Sequence, residues 1–216
     1  MNFALKLYHQ DKKVNQTLFL YIIYCLSLLL IRAKITQSVY LFFLIWNLFL
    51  AFVPYIISSY FQSLDTKNNS KLKRYALLII WLLFIPNSFY IITDLVHLDN
   101  SDGIIFWLDL IIISSYALIG FGLGLLSLTH FETTLKTIIS KKYASITLFC
   151  ISFLCGFGIY VGRILRYNSW DIISNPFDLI VDLFIAATSK TSLFFSIQFG
   201  IFIYFAFLIK KNITSK

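Results

Sequence analysis

Charge is scarce in this sequence: only 13% of its 216 residues are Asp, Glu, Lys or Arg, where a soluble domain carries roughly 25%. Proline and cysteine each occur three times and methionine once. So little polar surface cannot cover a water-soluble globule. A soluble enzyme, a disordered chain and a nucleic-acid-binding domain are excluded on that ground, and no nucleic-acid partner is expected. Cys25, Cys150 and Cys155 all fall inside apolar runs. They are too few and too scattered for a disulfide framework or a zinc knuckle, so neither a metal nor another cofactor is expected.

What the chain has instead is apolar length. Hydrophobic residues make up 59% and aromatics 19%, with a mean hydropathy of +0.81. Six stretches, at 14–31, 39–61, 75–92, 104–128, 144–165 and 191–209, approach the ~20 helical residues that cross a bilayer. The expectation is an all-α, polytopic membrane helix bundle of about six transmembrane helices, one domain over residues 1–216 with the lipid bilayer as its surroundings. The first stretch follows Lys12 and Lys13, has no small-residue cleavage site and ends in Arg32-Ala33-Lys34. It reads as an uncleaved anchor rather than a signal peptide.

The charges are sorted by side. Thirteen of the 18 Lys and Arg residues fall at the N-terminus, in the second and fourth loops and at the C-terminus, so both termini are predicted to be cytoplasmic. Seven of the ten acidic residues lie toward the other side, three of them (Asp94, Asp99, Asp102) within the loop 93–103. The longest outer connection, 166–190, contains Ser174-Asn175-Pro176-Phe177-Asp178. That is a helix start, with a capping side chain, Pro in the first turn and an acid near the positive helix end. A short outer interfacial helix is predicted over 179–185.

Polar residues recur at helical spacing near the outer ends. Asn87, Tyr90, Asp94 and His97 fall on one stripe at 100° per residue, just after Pro86, where a kink is expected. Such a stripe must face the bundle interior or a wet cavity. In the fourth span Asp109 and Tyr116 share a stripe. In the fifth, Gly158 and Gly162 form a small-xxx-small pair that permits close helix approach, while Tyr160, Arg163 and Tyr167 take another face. Asp94, His97, Asp109, Arg163, Arg166 and Asp171 thus reach a similar depth. Arg163 is expected to pair with Asp94 or Asp109, because an unpaired charge there costs several kcal/mol. By contrast the inner halves hold almost no ionisable group. Asn47 and Gln198 are their main buried polar side chains, and His130 reads as a loop residue.

Residues 82–98 (LLFIPNSFYIITDLVHL) and 158–171 (GIYVGRILRYNSWD) resemble the two hallmarks of an uncharacterised bacterial integral-membrane family, domain of unknown function 1361. Ser88-Phe89 departs slightly from the small residue and Pro usual after its Pro-Asn. The resemblance implies a multi-pass protein of a bacterial inner membrane and carries no activity.

Three readings follow from the residues. An outer polar pocket built from Asn87, Tyr90, Thr93, Asp94, His97, Asp109, Arg163, Arg166, Asn168, Trp170 and Asp171 would bind an anionic lipid or small phosphate-like anion. It would do so catalytically if Asp94 or His97 acts as a base. Alternatively, Asp94 and Arg163 only lock helices together. A small-solute transporter is the third reading, disfavoured by the apolar inner halves. Asp94 and His97, three residues apart, lack a fixed third metal ligand.

Overall fold

The computed structural model describes residues 12–63, 71–100, 103–168 and 170–214. Six helices are long and apolar enough to cross a membrane. They are α1 (Lys12–Thr36), α2 (Phe43–Ser63, preceded by a 3-10 turn Tyr40–Phe42), α3 (Lys71–Tyr90), α4 (Gly103–Lys136), α5 (Lys141–Arg163) and α8 (Lys190–Thr214). Two short helices, α6 (Asp171–Ser174) and α7 (Pro176–Thr188), fill the connection between α5 and α8. No strand occurs among the described residues. The fold is an all-α, multi-pass membrane protein. Because six spans alternate in direction, the start of α1 and the end of α8 lie at one end of the bundle, called proximal here. The opposite end is distal.

Helix α4 is the axis. Its 34 residues rise about 51 Å at 1.5 Å per residue, well beyond a hydrocarbon core of about 30 Å. One buried cluster joins α4 to α1 and α2 through Cys25, Leu29, Leu44, Leu48, Ile112 and Tyr116. A second joins α4 to α3, α5 and α8 through Trp81, Phe89, Leu128, Cys155 and Phe207. Only 17% of the α1 window is buried, against 44% in α2, α4 and α5, so α1 is peripheral. The outward faces carry Phe19, Ile79, Ile111, Leu118 and Phe205 bare. Only lipid can cover a continuous apolar exterior of this kind.

Two prolines interrupt the spans, and hydroxyls from neighbouring helices compensate. Pro54 lies inside α2. Around it, Ser88 of α3 donates to the Ala51 carbonyl (2.9 Å), and the Ser127 hydroxyl of α4 lies 3.0 Å from the Pro54 carbonyl. Without water, such side chains are what satisfy backbone groups freed by proline. Pro86 lies inside α3, and four residues later the α-helix gives way to ten residues of 3-10 helix, Ile91–Asn100. Such runs seldom exceed three or four residues and mark strain or function. The single α-helical stripe expected across residues 87–97 is therefore corrected. Beyond Tyr90 the repeat is three residues, which stacks His97 directly over Asp94.

Other boundaries move as well. Helix α5 stops at Arg163, so Tyr167 does not continue the face of Tyr160; Tyr160 instead packs against Phe195. Helix α4 runs eight residues past the expected end of its span. His130 is thereby a buried helical residue whose Nδ1 is 3.0 Å from the Ser59 hydroxyl. Glu132, two residues on, is clamped by Lys211 (2.6 Å) and Lys136 (2.9 Å). The proximal half is thus more polar inside than its sequence pattern indicates. Gln198 is exposed on the outside of α8, and Asn47 lies one turn into α2 at the distal end. Helix α7 starts where expected, with Pro176 in its first turn, but Asn175 spends its amide on Asp178 (3.0 Å) rather than on the backbone.

Glycines set the approach of α5 to α3. A Cβ on Gly158 would lie 2.6 Å from Cγ of Pro86, and one on Gly162 would lie 3.2 Å from the Tyr90 ring. Gly158→Ala is expected to cost about 1–3 kcal/mol by overpacking. Gly122→Ala, facing open space, is expected to be neutral or to gain up to ~1 kcal/mol of helix propensity. Thermal unfolding in detergent compares the two; equal melting points would contradict this account of the α3–α5 contact.

Candidate functional site

The distal end of α3 delivers four side chains to one guanidinium. Arg163, the last residue of α5, donates from a terminal nitrogen to Asp94 Oδ1 (2.5 Å) and from Nε to the Thr93 hydroxyl (2.8 Å). Its other terminal nitrogen is 3.5 Å from His97 Nε2. The Tyr90 ring lies under it at 4.6 Å, in cation–π range. Asp94 is 1% exposed, and its second oxygen accepts from Asn47 Nδ2 of α2 at 2.8 Å. Tyr40, ahead of α2, holds His97 Nδ1 at 3.0 Å. Three helices are tied together by one carboxylate and one guanidinium, each supplied with the hydrogen bonds a buried charge requires.

Asp109 takes no part in this cluster. Both of its oxygens are held by Arg32 of α1, at 2.9 and 3.1 Å, and both residues are buried. Of the two acids weighed as partners for Arg163, Asp94 is the one used. Asp109 instead fixes the peripheral α1 to the axis with a bidentate fork, which Arg supplies and Lys does not.

Beside the Arg163 cluster is a cavity of about 300 Å³, at the small end of ligand-binding sites. Its walls come from α2 (Trp46, Asn47, Leu50), α3 (Leu82, Leu83, Pro86, Asn87, Tyr90) and α5 (Leu154, Phe157, Gly158, Val161, Gly162). Tyr167, Asn168 and Ile172 add the distal rim, and Leu179 and Leu183 of α7 cover it. The lining is graded. Asn47, Asn87, Tyr90, Tyr167 and Asn168 supply the polar atoms toward the distal end, and leucines take over below. Leu82, Leu83 and Leu154 are 37%, 38% and 50% exposed although they line the cavity, so its apolar part is open rather than sealed. Asn47 and Tyr90 belong both to the cavity wall and to the Arg163 cluster.

At the rim, Trp170 packs edge-on against Trp46 at 5.9 Å. The Asp171 carboxylate accepts from the Asn168 backbone N–H (2.6 Å) and the Ser174 hydroxyl (2.8 Å), which hold it below the usual carboxylate range. The Tyr167 hydroxyl donates to Asp182 of α7 (2.9 Å), and that bond pushes the phenol up. Arg166 is exposed, with φ of 64°. It occupies the left-handed position after α5 that usually belongs to glycine, with the Tyr167 N–H reaching back to the Val161 carbonyl at 3.2 Å. No described residue pairs with its charge. Among the described residues no three His, Cys, Asp or Glu side chains cluster as metal ligands; Asp102 of the acidic loop lies outside the described residues.

The family model for proteins of unknown function DUF1361 matches residues 46–206. The chain belongs to that family. The match begins at Trp46 and ends in α8, so it takes in the whole cavity wall and both partners of the Asp94–Arg163 pair. No curated protein and no solved structure matches, so this DUF1361 protein is interpreted from its own residues.

Of the residues singled out in the sequence, Thr93, Asp94, His97 and Arg163 form the cluster, Asn87 and Asn168 line the cavity, and Tyr90 does both. Trp170 and Asp171 shape the rim, and Asp109 is elsewhere. Asn47, Trp46, Tyr40 and Arg32 were missed. Asn47 had a signal, a lone amide in an apolar run, but nothing local to tell which helix it faces.

Asp94→Asn leaves Arg163 buried beside a neutral amide and is expected to destabilise by about 3–5 kcal/mol. Arg163→Gln is expected to do likewise. The double variant should cost less than the sum, with coupling of about 0.5–3 kcal/mol. Unfolding of the four proteins in detergent measures this; strict additivity would show that the pair does not hold the helices.

Proposed function

We propose that this protein binds an anionic membrane lipid in the extracytoplasmic leaflet, with the chains entering between α3 and α5 and the phosphate meeting Arg166. Arg166 carries the reading. It is an exposed cation with no partner among the described residues, in a backbone slot that costs a non-glycine residue about 1–2 kcal/mol, directly before the rim residues Tyr167 and Asn168. Gln37 (φ 51°), after α1, is the other non-glycine residue in this conformation; at Arg166 the strain falls beside the cavity rim, where it invites a functional explanation. The open apolar cavity supports the same reading, since a lipid reaches it without crossing water. The sorting of Lys and Arg puts the distal end outside the cytoplasm.

Binding is favoured over catalysis. Both oxygens of Asp94 are engaged, and neither Asp94 nor His97 lines the cavity. A second, structural role fits the Asp94–Arg163 and Arg32–Asp109 pairs, which fasten helices and hold the cavity's polar wall in place. Transport has less support: the buried polar groups near each end, Asp94 and His130, are not joined by a continuous line of hydrogen bonds among the described residues.

Arg166→Gly is expected to leave the melting temperature in detergent unchanged or raised, because glycine suits φ of 64°, while weakening phosphatidylglycerol binding in native mass spectrometry. Leu154→Trp, filling the cavity from the lipid side, is expected to reduce binding of any lipid. Unchanged phosphatidylglycerol affinity in both variants would refute the proposal. For orientation, a C-terminal fusion to a phosphatase that works only outside the cytoplasm should be inactive, and a green fluorescent fusion should be bright.

A further inference from the structure

The polar half of the cavity wall has a chemistry that Arg166 does not explain. Asn47, Asn87 and Asn168 place three carboxamides there, Tyr90 adds a phenol, and no carboxylate lines the space. Two of these groups hold spare capacity. Asn47 gives its Nδ2 to Asp94 and has no described donor on Oδ1; Tyr90 uses its ring on Arg163 and has no described partner for its hydroxyl. The site therefore offers a neutral acceptor and a group able both to donate and to accept, within a largely apolar enclosure where an unmatched polar atom is costly.

From this we infer that the cavity selects lipids whose headgroup carries hydroxyls, such as a glycerol or sugar, over lipids with an amine headgroup. The inference rests on the lipid-binding reading above and deepens it. A hydroxyl donates to Asn47 Oδ1 and exchanges either role with Tyr90, so each of its hydrogen-bonding functions is met. A primary ammonium brings three donors and a charge, and a quaternary one brings a charge with no hydrogen-bonding group for Asn47 or Tyr90; either calls for a carboxylate. Asp94 has both oxygens engaged by Arg163 and Asn47, and neither it nor Asp182, which accepts from the Tyr167 hydroxyl, is among the lining residues. An ammonium placed here would remain poorly compensated. The Trp46 ring on the same wall gives the C–H face of a sugar or glycerol an apolar surface to rest on.

The same hydroxyl chemistry comes from two sources, an anionic phosphatidylglycerol and a neutral glucosyl-diacylglycerol. The full-length protein, stripped of lipid in detergent, is titrated by native mass spectrometry with these two and with phosphatidylethanolamine and phosphatidylcholine of the same acyl chains. Both hydroxylated lipids are expected to bind at least about fivefold more tightly than the two amine lipids, the worth of one net hydrogen bond. Tyr90→Phe keeps the ring on Arg163 and deletes only the hydroxyl, so it should narrow that ratio without lowering the melting temperature or the binding of the amine lipids. Tight binding of phosphatidylglycerol alone supports selection for a hydroxylated phosphodiester. Tight binding of the glucosyl lipid alone supports hydroxyl selection and removes Arg166 from headgroup recognition. Equal binding of all four overturns the hydroxyl inference and leaves the lipid site standing. Absence of binding by all four, with no change in Leu154→Trp, overturns both.

Discussion

Hydrocarbon does not tolerate a lone charge, and that constraint organises the distal half of this DUF1361 protein. Arg163 and Asp94 enter the bundle on different helices, and neither is acceptable there without the other. Their meeting fixes how α5 approaches α3. Asn47 then ties α2 to the same carboxylate, and Tyr90 closes the free face of the guanidinium. A second pair, Arg32 with Asp109, does the same for α1 and α4. The two ion pairs join α5 to the end of α3 and α1 to α4, and Asn47 adds α2.

The backbone is shaped to permit that meeting. Regular α-helix ends at Tyr90, and the 3-10 segment that follows brings Thr93, Asp94 and His97 to bear on one partner. Gly158 and Gly162 remove the side chains that would keep α5 away from Pro86 and Tyr90. The close approach is local, however. The space bounded by α3, α5, α2 and α7 beside it is the cavity, with Pro86, Tyr90, Gly158 and Gly162 in its wall. The features that bind the helices are thus the features that border the void, with Asn47 and Tyr90 shared by both.

Such a void suits an amphiphile because its polarity changes with depth as a lipid's does. Amides and phenols lie near the rim, bare leucines face the acyl region, and helix α7 covers the opening with Leu179 and Leu183. The only cation beside the rim without a protein partner, among the described residues, is Arg166, and its left-handed backbone is a conformation the side chain does not favour. Arg163 was an anion-ligand candidate alongside Arg166 in sequence, but it is engaged by Thr93, Asp94 and His97 within the bundle.

Much of this was legible in the sequence. Six apolar runs specify six helices because a bilayer leaves the backbone no other way to satisfy itself. Charge sorting, the helix start at Pro176, the small residues at Gly158 and Gly162 and the convergence of Asp94 with Arg163 all follow from local spacing and from the intolerance of lipid for charge. Tertiary structure alone decided the rest. Whether Arg163 takes Asp94 or Asp109 depends on which helices are neighbours, and spacing along one helix carries no information about the next. The switch to 3-10 geometry after Tyr90 depends on packing against α4. His130 and Glu132 look like loop residues until Ser59 and Lys211 arrive from other helices to make their burial tolerable. The cavity has no sequence signal at all, since it exists only where four helices fail to meet.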